Sequence, residues 1–149
     1  MKVVLQRVLS GKVVVAGETV GEIKHGLAVL VGFEKGDINS YVDKMVDKIV
    51  NLRIFEDSTG KMNLSLKDVN GSLLVVPNFT LAADCRKGRR PSFQSSEDPD
   101  KAEEMFKRFI EKCKEYGIEV QTGIFGADMK VHIVNDGPVT FILDSKDFS

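Results

Sequence analysis

Residues 26–50 read GLAVLVGFEKGDINSYVDKMVDKIV, and the hydrophobic period changes partway along. Residues 26–33 form a nearly continuous apolar run, short enough to be a strand buried on both faces. From Asp37 onward Ile38, Tyr41, Val42, Met45, Val46, Ile49 and Val50 recur at spacings of three and four, with Asp and Lys between them. That spacing predicts an amphipathic helix, and Asp37 suits its N-cap, where a carboxylate accepts from free first-turn N–H groups. A strand followed directly by a helix sets the question of what surrounds the pair.

On the N-terminal side, residues 2–33 read as strands and turns. Val3, Leu5, Val8 and Val13 to Val15 supply aliphatic residues between the turn signals Ser10-Gly11 and Ala16-Gly17, so a meander is predicted to open the fold. On the C-terminal side, residues 57–63 (DSTGKMN) read as a loop, and residues 72–76 (SLLVV) as a strand that Pro77 must end or leave at an edge. Asp98 and Pro99 suit the N-cap and first position of a second helix. Its apolar stripe is Ala102, Met105, Phe106, Phe109, Ile110 and Cys113, and Gly117 closes it. Strands are predicted again at 118–122, 129–134 and 139–143. The strand runs do not alternate regularly with helices as a βαβ fold requires. The expectation is an α+β fold, one domain over residues 1–149, with a mainly antiparallel, barrel-like sheet and two amphipathic helices.

A chain of 149 residues buries about two-thirds of its unfolded surface, so one core suffices. Apolar residues at 42% and charged residues at 29% exclude a largely disordered chain. Cys85 and Cys113 match no disulfide framework or ligand spacing, and a reducing compartment fits them best. No signal-peptide pattern and no 18-residue apolar run is present, so the expected location is the cytoplasm, away from membranes. A net charge of −1 gives no global field for nucleic acid. The local exception is Arg86, Lys87, Arg89 and Arg90, four cations in five residues, which on their own read equally well as a solvated loop.

The common catalytic templates are missing: no P-loop, GxGxxG, HExxH or GxSxG occurs. His132 alternates with Val131 and Ile133 and is expected to point away from the core, and His25 reads as a surface turn residue. No metal site and no cofactor are expected. Two stretches remain. One is Pro77-Asn78-Phe79-Thr80-Leu81-Ala82-Ala83-Asp84, running through Cys85 into RKGRRPSF. The other is Asn135-Asp136-Gly137-Pro138-Val139-Thr140, preceded by Phe125-Gly126-Ala127 and Met129. Taken alone, Thr80 reads as a hydroxyl satisfying a strand-end turn, and Gly137-Pro138 as an ordinary turn with a trans bond.

Together with VLQRV near the start and Gly21-Glu22-Ile23, the order and spacing of these stretches resemble the D-aminoacyl-tRNA deacylases from end to end. The resemblance implies hydrolysis of the ester joining a D-amino acid, or glycine mischarged on tRNA(Ala), to the 3′ end of tRNA. It implies a site containing Asn78, Phe79 and Thr80, with Ala82, Met129, Gly137 and Pro138 binding the substrate and selecting its chirality. It further implies a homodimer in which a cis Gly137-Pro138 bond enters the partner's pocket and crowds out L side chains, and a tRNA contact through Arg86, Lys87, Arg89 and Arg90. No DNA partner is expected. One departure stands out: the family usually has Ser-Gln where this chain has Pro77 and Asn78. A related set of deacylases that removes misplaced alanine also carries that proline, so L-alanyl-tRNA is the alternative substrate. A non-catalytic RNA-binding module, stacking bases on Phe79 or Phe93, is the alternative in another class. No base stands near Thr80 in the sequence, so a role as activated nucleophile is disfavoured. The expected mechanism instead uses the Phe79 and Thr80 backbone N–H groups as oxyanion donors and the substrate's own 2′-hydroxyl to orient water.

Overall fold

The computed structural model describes residues 1–148. Strand β1 (Lys2–Val15) is the spine, and it runs through Ser10 and Gly11 without the break predicted there. Its far end turns at Ala16-Gly17 into β2 (Glu18–Ile23), with Val15 opposite Glu18. Strand β3 (Gly26–Gly32) then pairs with the first half of β1, Val3 opposite Val31, and not with β2. The opening is therefore not a meander, because β1 holds both later strands along one edge. Its other edge is occupied over nearly its full length by β8 (Lys130–Asp144), a single strand where two were predicted.

The sheet is mainly antiparallel as expected, and the middle of the chain adds parallel pairings to it. Strand β6 (Ser72–Pro77) pairs parallel with β3, and β7 (Val120–Thr122) pairs parallel with β6. Each parallel step is spanned by a helix, α1 (Asn39–Asn51) before β6 and α2 (Pro99–Glu115) before β7. The sheet is thus mixed, with two βαβ-like steps inside the α+β domain. The physical reason is burial: β3 and β6 are covered on both faces, which is the environment of parallel strands. A small hairpin, β4 (Phe55–Glu56) and β5 (Met62–Leu64), encloses residues 57–61 of the predicted 57–63 loop and takes Met62 and Asn63 into β5.

Alternation along the strands makes two cores. Leu27, Val29, Val31, Leu73 and Val75 face the helices and pack with Met45, Ile49, Phe106 and Phe109. Ala28, Leu74 and Val76 face the other way into a smaller cluster with Val8, Val13 and Ile23, against which Met129 and Ile133 pack. Each fully buried large aliphatic or aromatic side chain contributes about 1.5–3 kcal/mol. Two cap expectations change. Helix α1 has Ile38 at its N-cap, and the Asp37 carboxylate instead accepts from the Glu34 N–H at 2.7 Å and the Met1 ammonium at 2.8 Å. Pro99 does open α2 with Asp98 at the N-cap, but the Asp98 side chain makes no capping bond. Gly117, with φ 76°, follows the last turn as predicted. Among the described residues, no helix is long and apolar enough to cross a membrane.

Candidate functional site

The first motif begins where β6 runs out. Pro77 is the last residue of the strand, and Asn78, in extended conformation, caps a single 3₁₀ turn over Phe79–Ala82. The Asn78 N–H donates to the Val31 carbonyl at 2.8 Å, tying the turn to the end of β3. The Asn78 Oδ1 accepts both from the Thr80 hydroxyl and, at 3.3 Å, from the Thr80 N–H. Asn78 therefore occupies the hydroxyl and the N–H of Thr80, and the Phe79 N–H is left without an acceptor among the described residues. An amide oxygen accepts a hydrogen bond but is no base at neutral pH, so Thr80 gains no activation as a nucleophile. The turn holds one open N–H and one with a long, weak bond, the kind of donors that stabilise an oxyanion.

The turn sits close to the sheet because Gly32 has no side chain. A Cβ there would lie 2.8 Å from the Asn78 carbonyl oxygen and 2.9 Å from Leu81 Cβ. Sequence reasoning missed Gly32, although an isolated glycine in a bulky strand is itself a sign of close backbone approach. Ala82, expected to touch substrate, is 2% exposed at the end of the turn. Phe79 is 60% exposed and leans on Phe93, ring centroids 5.1 Å apart.

Between those rings the chain makes the basic loop. Asp84 and Ser92 exchange backbone hydrogen bonds of 2.7 and 2.9 Å, closing residues 84–92 into a protruding loop. The four cations do not act alike. Arg86 is held by the Asp84 carboxylate through Nε at 2.9 Å and Nη2 at 2.7 Å. Those bonds, with the Arg86 N–H, lower the Asp84 carboxyl to about 2. Lys87, Arg89 and Arg90 are exposed and have no ion pair among the described residues.

The second motif lies within β8. Gly137-Pro138 is a cis peptide bond, as the resemblance implied, and both residues are exposed. The β1–β8 register steps from Val8 opposite Asn135 to Gln6 opposite Thr140, so four residues of β8 face Arg7 alone. Residues 136–139 must therefore bulge out of the ladder. Asn135 Nδ2 donates to the Arg7 carbonyl at 2.9 Å and to the Val139 carbonyl at 3.1 Å. The Arg7 guanidinium is 5% exposed and donates to the Ile54 carbonyl at 2.9 Å. Its Nε lies 3.3 Å from Asp136 Oδ2 but is not aligned for a hydrogen bond.

Met129 is half-buried, and its sulfur lies close over Gly123, whose Cα side also faces Pro77. Met129 thus borders the entry to the 3₁₀ turn. No hydrogen bond or ion pair joins Gly137 or Pro138 to that turn within the chain, among the described residues. Two surface cavities of about 450 and 350 Å³, the first lined by Met1, Glu34 and Tyr41 and the second by Asp43, Asp47 and Tyr116, include neither motif. His25 is exposed and edges onto Phe55, and His132 is exposed on β8. Among the described residues no group of three or more His, Cys, Asp or Glu side chains is gathered to hold a metal.

The similarity to known proteins spans both motifs. The family model described as D-Tyr-tRNA(Tyr) deacylase matches residues 4–144. The D-aminoacyl-tRNA deacylase of Thermosipho africanus is 55% identical over 146 residues, covering 98% of each chain. That of Geotalea uraniireducens is 57% identical over 145 residues, 97% of this chain and 94% of the relative. Among solved structures, the c-Myc DNA Unwinding Element Binding Protein superposes with a TM-score of 0.91 at 39% identity, over 97% of this chain and 98% of that one. A probable eukaryotic D-amino acid tRNA deacylase shares the fold, with a TM-score of 0.84 at 18% identity over 95% and 97% of the two chains. With the match running through β1, the 3₁₀ turn and the β8 bulge alike, the chain belongs to the D-Tyr-tRNA(Tyr) deacylase family.

Proposed function

We propose that this chain hydrolyses the ester of D-aminoacyl-tRNA in the cytoplasm, working as a homodimer, with water as nucleophile and backbone amides as the protein's main catalytic groups. The observation that carries this reading is the 3₁₀ turn, with its unfilled Phe79 N–H and a Thr80 hydroxyl tied to the Asn78 amide oxygen. Water adds to the ester carbonyl, the negative oxygen is held by the Phe79 and Thr80 N–H groups, and the C–O bond to the ribose breaks. The 3′-oxygen leaves with a proton, giving free amino acid and tRNA. The neighbouring 2′-hydroxyl orients the water, a role for which the turn offers no side chain.

A second copy of the chain completes the site. Ile142 is 77% exposed, and Leu9 and Val134 are more than half exposed, on the same paired strands β1 and β8 that carry the bulge. Such an apolar surface favours a partner. Gly137 and Pro138, exposed on the bulge, enter the partner's site and reject L side chains by crowding. Glycine, with nothing to crowd, is hydrolysed too. The test compares D-tyrosyl, L-tyrosyl, L-alanyl and glycyl esters on tRNA. Release of D-tyrosine and glycine without L-tyrosine is expected. Preference for L-alanine redirects the substrate, and binding without release from any ester leaves only an RNA-binding module.

Two expected results follow from the site. Thr80→Ala should retain turnover within about tenfold of the parent, since no base activates its hydroxyl, whereas tRNA with a 2′-deoxy terminal adenosine should be nearly inert in single-turnover assays. Equal rates on deoxy and native substrates would exclude ribose assistance. In the basic loop, Arg89→Ala with Arg90→Ala should raise the tRNA concentration for half-maximal rate and flatten its salt dependence, each lost phosphate contact lowering the log–log slope by about 0.7–0.9. Arg86→Ala should change the slope less, because Asp84 already holds that guanidinium. A double variant with the parent's slope would mean the loop touches no phosphate.

A further inference from the structure

We infer that Asn135 is a positioning residue whose carboxamide sets how far Gly137 and Pro138 project, and through them the chiral selectivity that the proposed function requires. An antiparallel ladder joins main-chain groups one against one, but here residues 136–139 stand against Arg7 alone. The ladder partners of that stretch are pulled away, and an unsatisfied carbonyl near the core costs about 1–3 kcal/mol. One side chain makes up the deficit. The two hydrogens of the Asn135 amide go to two different carbonyls, Arg7 across the ladder at 2.9 Å and Val139 at the exit of the bulge at 3.1 Å.

These bonds fix the bulge at its entrance, because Asn135 is the last paired residue, and at its exit, because Val139 is held. Val139 is itself 7% exposed and anchored in the interior, and Thr140 beyond it accepts from Gln6 Nε2 at 3.2 Å. Within the bulge Gly137 and Pro138, at the tip, are exposed, whereas Asp136 is half-buried and Val139 buried. The base is held and the tip is presented. The role needs an –NH₂ group at this reach. Aspartate has the same shape but no donor, and it would set a carboxylate against two carbonyl oxygens.

Asn135→Asp tests this directly. The measurements are single-turnover rates on D- and L-tyrosyl-tRNA, with sedimentation for the dimer and calorimetry for the fold. The D-to-L rate ratio should fall roughly tenfold to a hundredfold, the scale of a displacement near 1 Å at a reacting group. A purely structural asparagine would lower the melting temperature and leave the ratio alone. Gln6→Ala, which removes the bond just outside the bulge, should keep the parent ratio. If Asn135→Asp does not fold, Asn135→Ala removes the same two donors without adding charge and is read the same way. A folded dimer of either variant with the parent's ratio overturns the inference. A parent protein that releases neither tyrosine overturns the proposed function instead, so the two failures are distinct.

Discussion

Gly32→Ala should lower kcat/KM on D-tyrosyl-tRNA by about a hundredfold while leaving the protein folded. Gly32 ends β3, and its backbone is ordinary strand, so alanine meets no conformational objection there. The obstacle is the 3₁₀ turn, whose Asn78 carbonyl oxygen would lie 2.8 Å and Leu81 Cβ 2.9 Å from the new methyl. Neither is the free end of a flexible side chain, so the turn must move. It moves about a tether, since the Asn78 N–H is bonded to Val31, the residue next to Gly32. The amides of Phe79 and Thr80 then tilt away from the position that the proposed function gives the oxyanion. A shift near 1 Å is worth about 10²-fold, and loss of one oxyanion donor costs a similar factor or more. Overpacking of this kind costs about 1–3 kcal/mol of stability, which a 149-residue domain tolerates. Gly11→Ala is the control, because its methyl would meet the end of Leu74 at 3.1 Å, a side chain able to yield. Rates and calorimetric melting of both variants are compared. A folded Gly32→Ala protein with parental activity would remove the 3₁₀ turn from the site.

The two helices were legible because their apolar stripes are long and regular, and Val42, Met45, Ile49, Phe106 and Phe109 are all buried as the spacing predicted. The direction of the central strands was written in the same sequence but less plainly. Residues 26–33 and 73–76 are nearly continuous apolar runs, and burial on both faces is what distinguishes parallel strands. The lack of regular alternation between strands and helices favoured an antiparallel reading. Gly11 was misread for a related reason. A glycine in a strand can mean a break or a crowded crossing, and here it lies where β1 exchanges β3 for β2 as its partner, with Leu74 pressed against it. Asp37 suited a helix cap by position, yet the Glu34 N–H and the Met1 ammonium hold its carboxylate elsewhere.

In the site, the legible part was what lies along a few consecutive residues. Asn78, Phe79 and Thr80 form one turn, and the four cations form one loop. What stayed hidden depends on residues distant in the chain. Gly32 makes room for Asn78, and Asn135 satisfies the carbonyl of Arg7 across 128 residues. Local pairing had the opposite effect for Arg86, whose charge is already met by Asp84 two residues before it.

Gly137→Ala should reduce discrimination against L-tyrosyl-tRNA far more than it reduces hydrolysis of the D ester. Gly137 has φ 131°, a conformation open to glycine and strained for alanine. The added methyl would lie 2.6 Å from Val139 Cγ2 and 2.9 Å from the Val139 N–H nitrogen. Val139 is buried, and its carbonyl is held by Asn135, so it cannot give way. Relief must come from the exposed tip, where the backbone of residues 136–138 swings off its present line. Backbone strain of this type costs about 1–3 kcal/mol, and because the tip is outside both cores the rest of the fold survives. The 3₁₀ turn of the same chain shares no hydrogen bond with the bulge, so the oxyanion donors keep their geometry. Under the proposed function the variant thus separates two roles assigned to two different segments, acceleration to the turn over Phe79–Ala82 and selection to the bulge. Thr80→Ala and Gly32→Ala should act on the rate for both enantiomers alike. Gly137→Ala and Asn135→Asp should act on their ratio. The decisive measurement is the pair of rates for D- and L-tyrosyl-tRNA in each variant, with dimerisation followed by sedimentation. A dimeric, active Gly137→Ala protein that still excludes L-tyrosine as the parent does would show that selection lies in the pocket around the turn and not in the bulge.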